Sequence, residues 1–348
     1  MKKNTVSLQI ICYLFISYIA FAQTPTYNPI DPHWQLVWED HFNSLDTKTR
    51  WKTLDTIPQF TVSAILLKEN VYILNGNLVL RVNNNKHIHN GTQYKYTNGK
   101  IETISPSCYD TQYGYLEAKM SIPYRKGLCC SFWTYVKHNA GSNSAEIDIV
   151  ETFGGRYPSN KIATTNVHTC YPSQEPNCKE PAYLIKHEFV NSTYVDWHTY
   201  AIEWNKNRII FYIDGKAVRT FTNHNVLDPV RLIFSILMEP NYLPPTSGSW
   251  SEQMLVDYVR VYSLKCEENP DKKVVNEIAN FNTYNYAVKK SISLSNATTI
   301  PANSNITLRA TDFIELKPGF SIDTGRELYL DVTPCTETSL QLPPAQRE

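Results

Sequence analysis

The chain is 348 residues long, enough for one large β domain and a small second one. Lys plus Arg and Asp plus Glu number 33 each, so the formal charge is zero, which argues against bulk electrostatic capture of nucleic acid or anionic lipid. Gly and Pro are not in excess, which excludes a collagen-like or wholly disordered chain, whereas the 23 Tyr and 7 Trp suit either a β core or a cleft that stacks on sugar rings.

The first 22 residues read as a secretory signal: Lys2 and Lys3 give a basic start, Val6 to Phe21 is largely apolar, and Ala20-Phe21-Ala22 is a cleavage site. This segment is too short for a membrane span, and no other stretch is long and apolar enough for one. The expected product is secreted, at the cell surface or in the periplasm, and monomeric. Export makes disulfides available. Without Cys12, seven cysteines remain, at 108, 129, 130, 170, 178, 266 and 335. Cys170 and Cys178 bracket a Pro-rich loop suited to a local bridge, and adjacent Cys129 and Cys130 could pair only with strain. Seven is odd, so at least one thiol stays free or pairs between chains, and no spacing suggests a zinc site.

From His33 to Tyr262 short β-rich runs alternate with turns. Val71–Leu74, Asn75-Gly76-Asn77 and Leu78–Val82 predict a hairpin, as do Arg208–Ile213, Asp214-Gly215 and Lys216–Arg219. Tyr115–Ile122 and Leu255–Tyr262 alternate, the latter cleanly. No long helical period appears. The fold class expected is all-β, a two-sheet sandwich or jelly roll over 33–263. Composition shifts after Leu264. A linker is expected over 264–280, a small β-rich module over 281–336 with strands at Ile306–Ala310 and Glu327–Val332, and a polar tail over 337–348.

The chemistry concentrates in Glu146-Ile147-Asp148-Ile149-Val150-Glu151. Residues two apart on a strand share a face, so Glu146 and Asp148 point one way and Ile147 and Ile149 the other. A regular strand would bury Glu151 in the core at high cost. A β-bulge near Val150 would return it to the acidic face. Three carboxylates in one cleft suit retaining glycoside hydrolysis, which needs a nucleophile and an acid/base about 5–5.5 Å apart, with clustered charge raising one pKa. A solvent-facing acidic strand is the bland alternative, but Asp and Glu are poor strand formers.

The hexapeptide resembles the E-x-D-x-x-E signature of glycoside hydrolase family sixteen in its laminarinase-like form. Val37–Phe42, Gly99–Thr103, Tyr113–Lys119, Trp197–Trp204, Tyr212–Gly215 and Val256–Tyr262 resemble further blocks of that family, in order. The resemblance implies a concanavalin-like jelly-roll sandwich with a long open cleft. It also implies Glu146 as nucleophile, Asp148 as assisting acid and Glu151 as acid/base. Trp133 falls on a tryptophan near the cut, where it offers a floor for a sugar ring or packs in the core. His168 could hydrogen-bond substrate or the acid/base, or be structural. Asp257 falls where some members bind a structural calcium; no other cofactor is required. Two departures bear on the cleft: Cys129-Cys130 stands where a tryptophan and proline are common, and Ser235–Pro240 differs from the usual late segment. The small C-terminal module resembles those of exported Bacteroidetes proteins.

The activity expected is endo-acting hydrolysis of β-1,3- or mixed β-1,3/1,4-glucan. A β-galactan hydrolase of agar or porphyran type, a transglycosylase and a non-catalytic glycan-binding module remain alternatives. Arg156 and Lys161, the basic residues after the acidic strand, do not decide for a sulfated substrate.

Overall fold

The computed structural model describes residues 32–56, 63–104, 111–136, 145–169, 183–222, 224–244, 246–266, 274–275, 284, 286–298, 300, 305–333 and 335. The expected signal segment, Cys108, Cys170, Cys178, the polar tail and most of the expected linker lie outside these residues. Among the described residues no helix is long and apolar enough to cross a membrane.

Strands dominate, in chain order β1 (Trp34–Asp40), β2 (Trp51–Thr53), β3 (Ala64–Leu66), β4 (Val71–Leu74), β5 (Asn77–Asn83), β6 (His87–His89), β7 (Thr92–Tyr94) and β8 (Tyr96–Thr103). There follow β9 (Gly114–Ser121), β10 (Leu128–Val136), β11 (Glu146–Phe153), β12 (Ile162–His168), β13 (Ile185–Glu188), β14 (His198–Trp204) and β15 (Arg208–Ile213). Next come β16 (Lys216–Thr222), β17 (Val230–Met238) and β18 (Ser251–Leu264), then β19 (Val274–Val275), β20 (Lys289–Leu294), β21 (Asn305–Leu316) and β22 (Glu327–Val332).

A front layer runs β13-β12-β11-β10-β17-β8 and a back layer β5-β18-β9-β14-β15-β16, joined where β8 passes from one to the other. The alternation that builds this is plain in β10. Cys130, Phe132, Thr134 and Val136 are buried in the core, while Cys129, Trp133 and Tyr135 on the other face are half-buried. Phe132 stacks on Phe234 of β17 with ring centroids 4.6 Å apart, and Ile147, Leu116, Met120, Phe211 and Val259 join the same core from both layers. This is the expected jelly-roll sandwich. Both expected hairpins form with two-residue turns, and Asn75-Gly76 and Asp214-Gly215 all have positive φ, the mirror-image turn that matches strand twist.

One expected strand differs. The run Leu255–Tyr262 does not alternate cleanly, because a bulge between Val256 and Tyr258 slips the phase and both Val256 and Val259 face the core.

The C-terminal sheet, β19-β20-β21-β22, is parallel throughout. Ile292 pairs with Ile314 and Ile306 with Leu328, an offset of 22 residues each time. The connections are too short for helical crossovers, so β20 with the first half of β21 is one rung, and the second half of β21 with β22 is the next. Ile292, Leu294, Ile306 and Leu308 fill the space between the rungs' sides. This unit sits on the outer face of the back layer. Arg309 stacks on Trp34 at 5.3 Å and pairs with Glu203 of β14, and Cys266 is bonded to Cys335.

Candidate active site

Glu146, Asp148 and Glu151 lie on β11 in the front layer, between β10 and β12. On the β10 side Phe132 pairs with Val150 and Trp133 with Asp148, so one step on β10 spans two on β11. On the β12 side the register also shifts between Asp148 and Glu151. The strand is therefore bulged at Ile149–Val150, as expected. Ile147, Ile149 and Val150 are all buried in the core. The extra residue turns Glu151 back to the face of Glu146 and Asp148, and it spares the core an unpaired carboxylate.

Asp148 is almost fully buried, while Glu146 and Glu151 are half-buried. His168 on β12 joins them: its Nε2 lies 3.2 Å from Asp148 Oδ2 and 3.8 Å from Glu146 Oε1. Asn166 Nδ2 is 2.9 Å from the same ring nitrogen and donates to it when that nitrogen is unprotonated. His168 thus faces Asp148 and Glu146. Burial pushes the Glu151 carboxyl up to about 7, with the Glu146 charge adding to it and His168 and Arg156 opposing. Burial, then the charge on Glu151, also raises Asp148, against the pull of His168. The arrangement lets Glu151 hold its proton up to about neutrality.

Cross-strand neighbours complete this face. Cys129 Sγ lies 4.0 Å from Glu151 Oε1, and Thr164 Oγ1 donates to the Glu151 carbonyl at 3.2 Å. Cys129 and Cys130 are both free thiols. Trp133 flanks Asp148, half-buried, its Nε1 donating to Ser235 Oγ at 3.1 Å. Lys100 Nζ sits 5.0 Å from the indole centroid. Burial lowers the Lys100 pKa, and the charges of Glu102 and Glu146 oppose this. Glu102 in turn gathers Lys100, Arg231 and Lys52 at 3.6, 3.4 and 3.9 Å. Sequence reasoning missed Lys100, Arg231 and Asn166, and it marked Ser235 only as the start of a segment that bears on the cleft. Lys100 lay in a block already singled out, and pairing β8 with β17 is what brings it beside Trp133.

Asp257 is elsewhere, on β18 in the back layer, and its Oδ2 takes Lys119 Nζ at 2.8 Å. Calcium needs six to eight oxygens. An ammonium already holds this carboxylate, and among the described residues no group of acids gathers there. The residues around Asp257 do not fit a calcium ion.

Comparison with known proteins adds the family. The chain is 28% identical over 176 residues to Endo-1,3-1,4-beta-glycanase EglC of Rhizobium meliloti (strain 1021), covering 50% of this chain and 35% of that one. It is 26% identical over 278 residues to Glucan endo-1,3-beta-glucosidase A1 of Niallia circulans, covering 69% and 39%. The chain thus spans little more than a third of these relatives' lengths. The laminarinase catalytic domain of Thermotoga maritima has the same fold, with a TM-score of 0.57 at 21% identity over 66% of this chain and 98% of that one. The model of Glycosyl hydrolases family 16 matches residues 64–259, more than half of the chain, so the protein belongs to that family.

Proposed function

We propose that the protein is an exported, retaining endo-glycosidase that hydrolyses β-1,3- or mixed β-1,3/1,4-glucan. The observation that carries this is the bulged β11, whose three acids share one face, with Glu151 able to hold a proton up to about neutrality. Glu146 attacks the anomeric carbon, and Glu151 gives its proton to the leaving oxygen. Glu151, now ionised, takes a proton from water, which attacks the same carbon and releases sugar with retained configuration. Asp148, packed between them against His168, holds Glu146 and Glu151 in place. Trp133 offers its half-exposed ring to the sugar beside the cut. The glucanase names of the curated relatives support the choice of substrate.

The test is a product assay on laminarin, lichenan, agarose, porphyran and carrageenan, with wild type beside Glu146→Gln. Oligosaccharides are expected from laminarin or lichenan, with the anomeric configuration retained by NMR, and none from the variant. Near-normal activity in Glu146→Gln would sink the assignment, and products from agarose or porphyran alone would move the substrate to a galactan.

A further inference from the structure

The back layer carries an open pocket of about 420 Å³ on its outer face, lined by Ser121, Tyr124, Val195, Glu252, Gln253 and Leu255 among others. Ser121 and Leu255 are direct cross-strand partners on β9 and β18, and their chain neighbours Met120, Met254 and Val256 are fully buried. Ser121, Gln253 and Leu255 therefore point away from the core, on the side of the sandwich opposite Glu146 and Glu151, while Glu252, in phase with Met254, lines the pocket from the inward side of β18. We propose that this pocket is a second carbohydrate site, which holds an uncharged stretch of the polysaccharide that the front face cuts; it rests on the function proposed above.

Three observations select a sugar. First, one exposed aromatic ring lines the pocket, and two more lie beside residues that line it. Tyr124 is 38% exposed, and Trp197, two residues along from Val195, is 41% exposed. Tyr72 stands on the far side, where its hydroxyl accepts from Gln253 Nε2 at 2.9 Å. Exposed rings of this kind stack on the C–H faces of pyranoses.

Second, the polar groups are held in fixed directions. Glu252 Oε1 takes Arg125 Nε at 2.8 Å, and Arg125 lies over the Trp250 ring at 4.7 Å. The Gln253 amide is fixed by Tyr72, so its remaining donor and acceptor are aimed without further ordering. A few oriented polar groups beside apolar surface are what binds a ring of hydroxyls at low entropic cost.

Third, the charge is balanced. Glu252 is paired with Arg125, and the neighbouring Asp257 with Lys119, whose ammonium also lies 5.5 Å from the Trp197 centroid. A neutral glycan fits such a surface, and a sulfated or carboxylated one gains no unpaired cation from it. Holding the polymer at a second point raises the local concentration of chain near the front face.

The test is calorimetric titration of laminarihexaose, and separately of a mixed-linkage glucan hexasaccharide, into Glu146→Gln protein. Two bound sugars per chain are expected. The count should fall to one when Tyr124→Ala and Gln253→Ala are added, and to one when Trp133→Ala is added instead. These back-face positions are on the surface, so an unchanged melting temperature will show that the fold is intact. A single site that only Trp133→Ala removes would overturn the second site and leave the proposed function standing. No binding of either sugar would also overturn it, while the product assay with wild type decides the function separately.

Discussion

Replacing Arg309 by Met should loosen the C-terminal unit from the sandwich. Arg309 makes two parallel contacts with Glu203, Nη1 to Oε1 and Nη2 to Oε2 at 3.2 Å each, and a third from Nη1 to Asp331 Oδ2 at 2.6 Å. All three side chains are 4% exposed or less. Removing one partner from such a cluster leaves charge buried without compensation, which costs ~3–5 kcal/mol. Here Arg208 remains, at 3.3 Å from Glu203 and 2.6 Å from Asp331, and Met keeps much of the packing on Trp34. One cation would then serve two carboxylates, so we take the lower end, ~3 kcal/mol, or a fall in melting temperature of roughly 6–12 °C. The pH dependence is a second signature. Burial would raise Glu203, but Arg309 and then Arg208 outweigh it and hold the carboxyl below its ordinary value. A depressed folded-state pKa contributes stability at neutral pH that is lost as pH falls through that pKa, so the gap between wild type and variant should narrow below about pH 4. Calorimetric melting from pH 3 to pH 8 measures both. A cost under ~1 kcal/mol at pH 7, typical of surface pairs, would refute the account of the cluster as buried and mutually dependent.

Other consequences follow from the same geometry. Glu151 must carry its proton to act, and burial and Glu146 push it up to about 7, so kcat/KM should fall above about pH 7. A basic limb two or more pH steps higher would mean that another group is the acid. The same elevation makes folding weaker as pH rises from about 4.3 to about 7, because the folded state holds that proton more tightly than the unfolded chain. Glu151→Gln should therefore stabilise the protein at pH 8 by up to ~2 kcal/mol, discounted for a half-buried group, and not at pH 4; equal gains at both would refute the linkage. The Cys266–Cys335 bond closes a separation of 69 residues, so its loss in Cys266→Ala should cost ~4 kcal/mol, read as a lower melting temperature than that of unreduced wild type.

The site was legible because its chemistry is written on one strand. Period-two alternation sends Glu151 to the wrong face, and the cost of a buried carboxylate then demands the extra residue found at Ile149–Val150. The contacts of Lys100, Arg231 and Ser235 were not legible. Lys100 and Ser235 reach Trp133, and Arg231 reaches Glu102, through the pairing of β8, β17 and β10, and strand order is a property of the whole sheet that no single segment carries. Asp257 is a different case: the resemblance names that position alone, and the Lys119 that pairs with it at 2.8 Å comes from the adjacent strand.

The C-terminal unit held a signal that strand-by-strand reading passes over. Ile-x-Leu recurs at 292 and 314, and a similar apolar pair at Ile306, Leu308 and Leu328, Leu330. Alternation alone predicts strands there and is silent on direction, since parallel and antiparallel pairs show the same pattern. The common offset of 22 residues is what implies stacked parallel rungs, and it is easily missed when only two copies exist. The same offset places Arg309 opposite Asp331 on adjacent rungs. Their side chains therefore meet for the same reason that the leucines beside them do. The Arg–Asp pair that meets Glu203 is part of the repeat, and the surface by which the unit holds the sandwich is set by the unit's own fold.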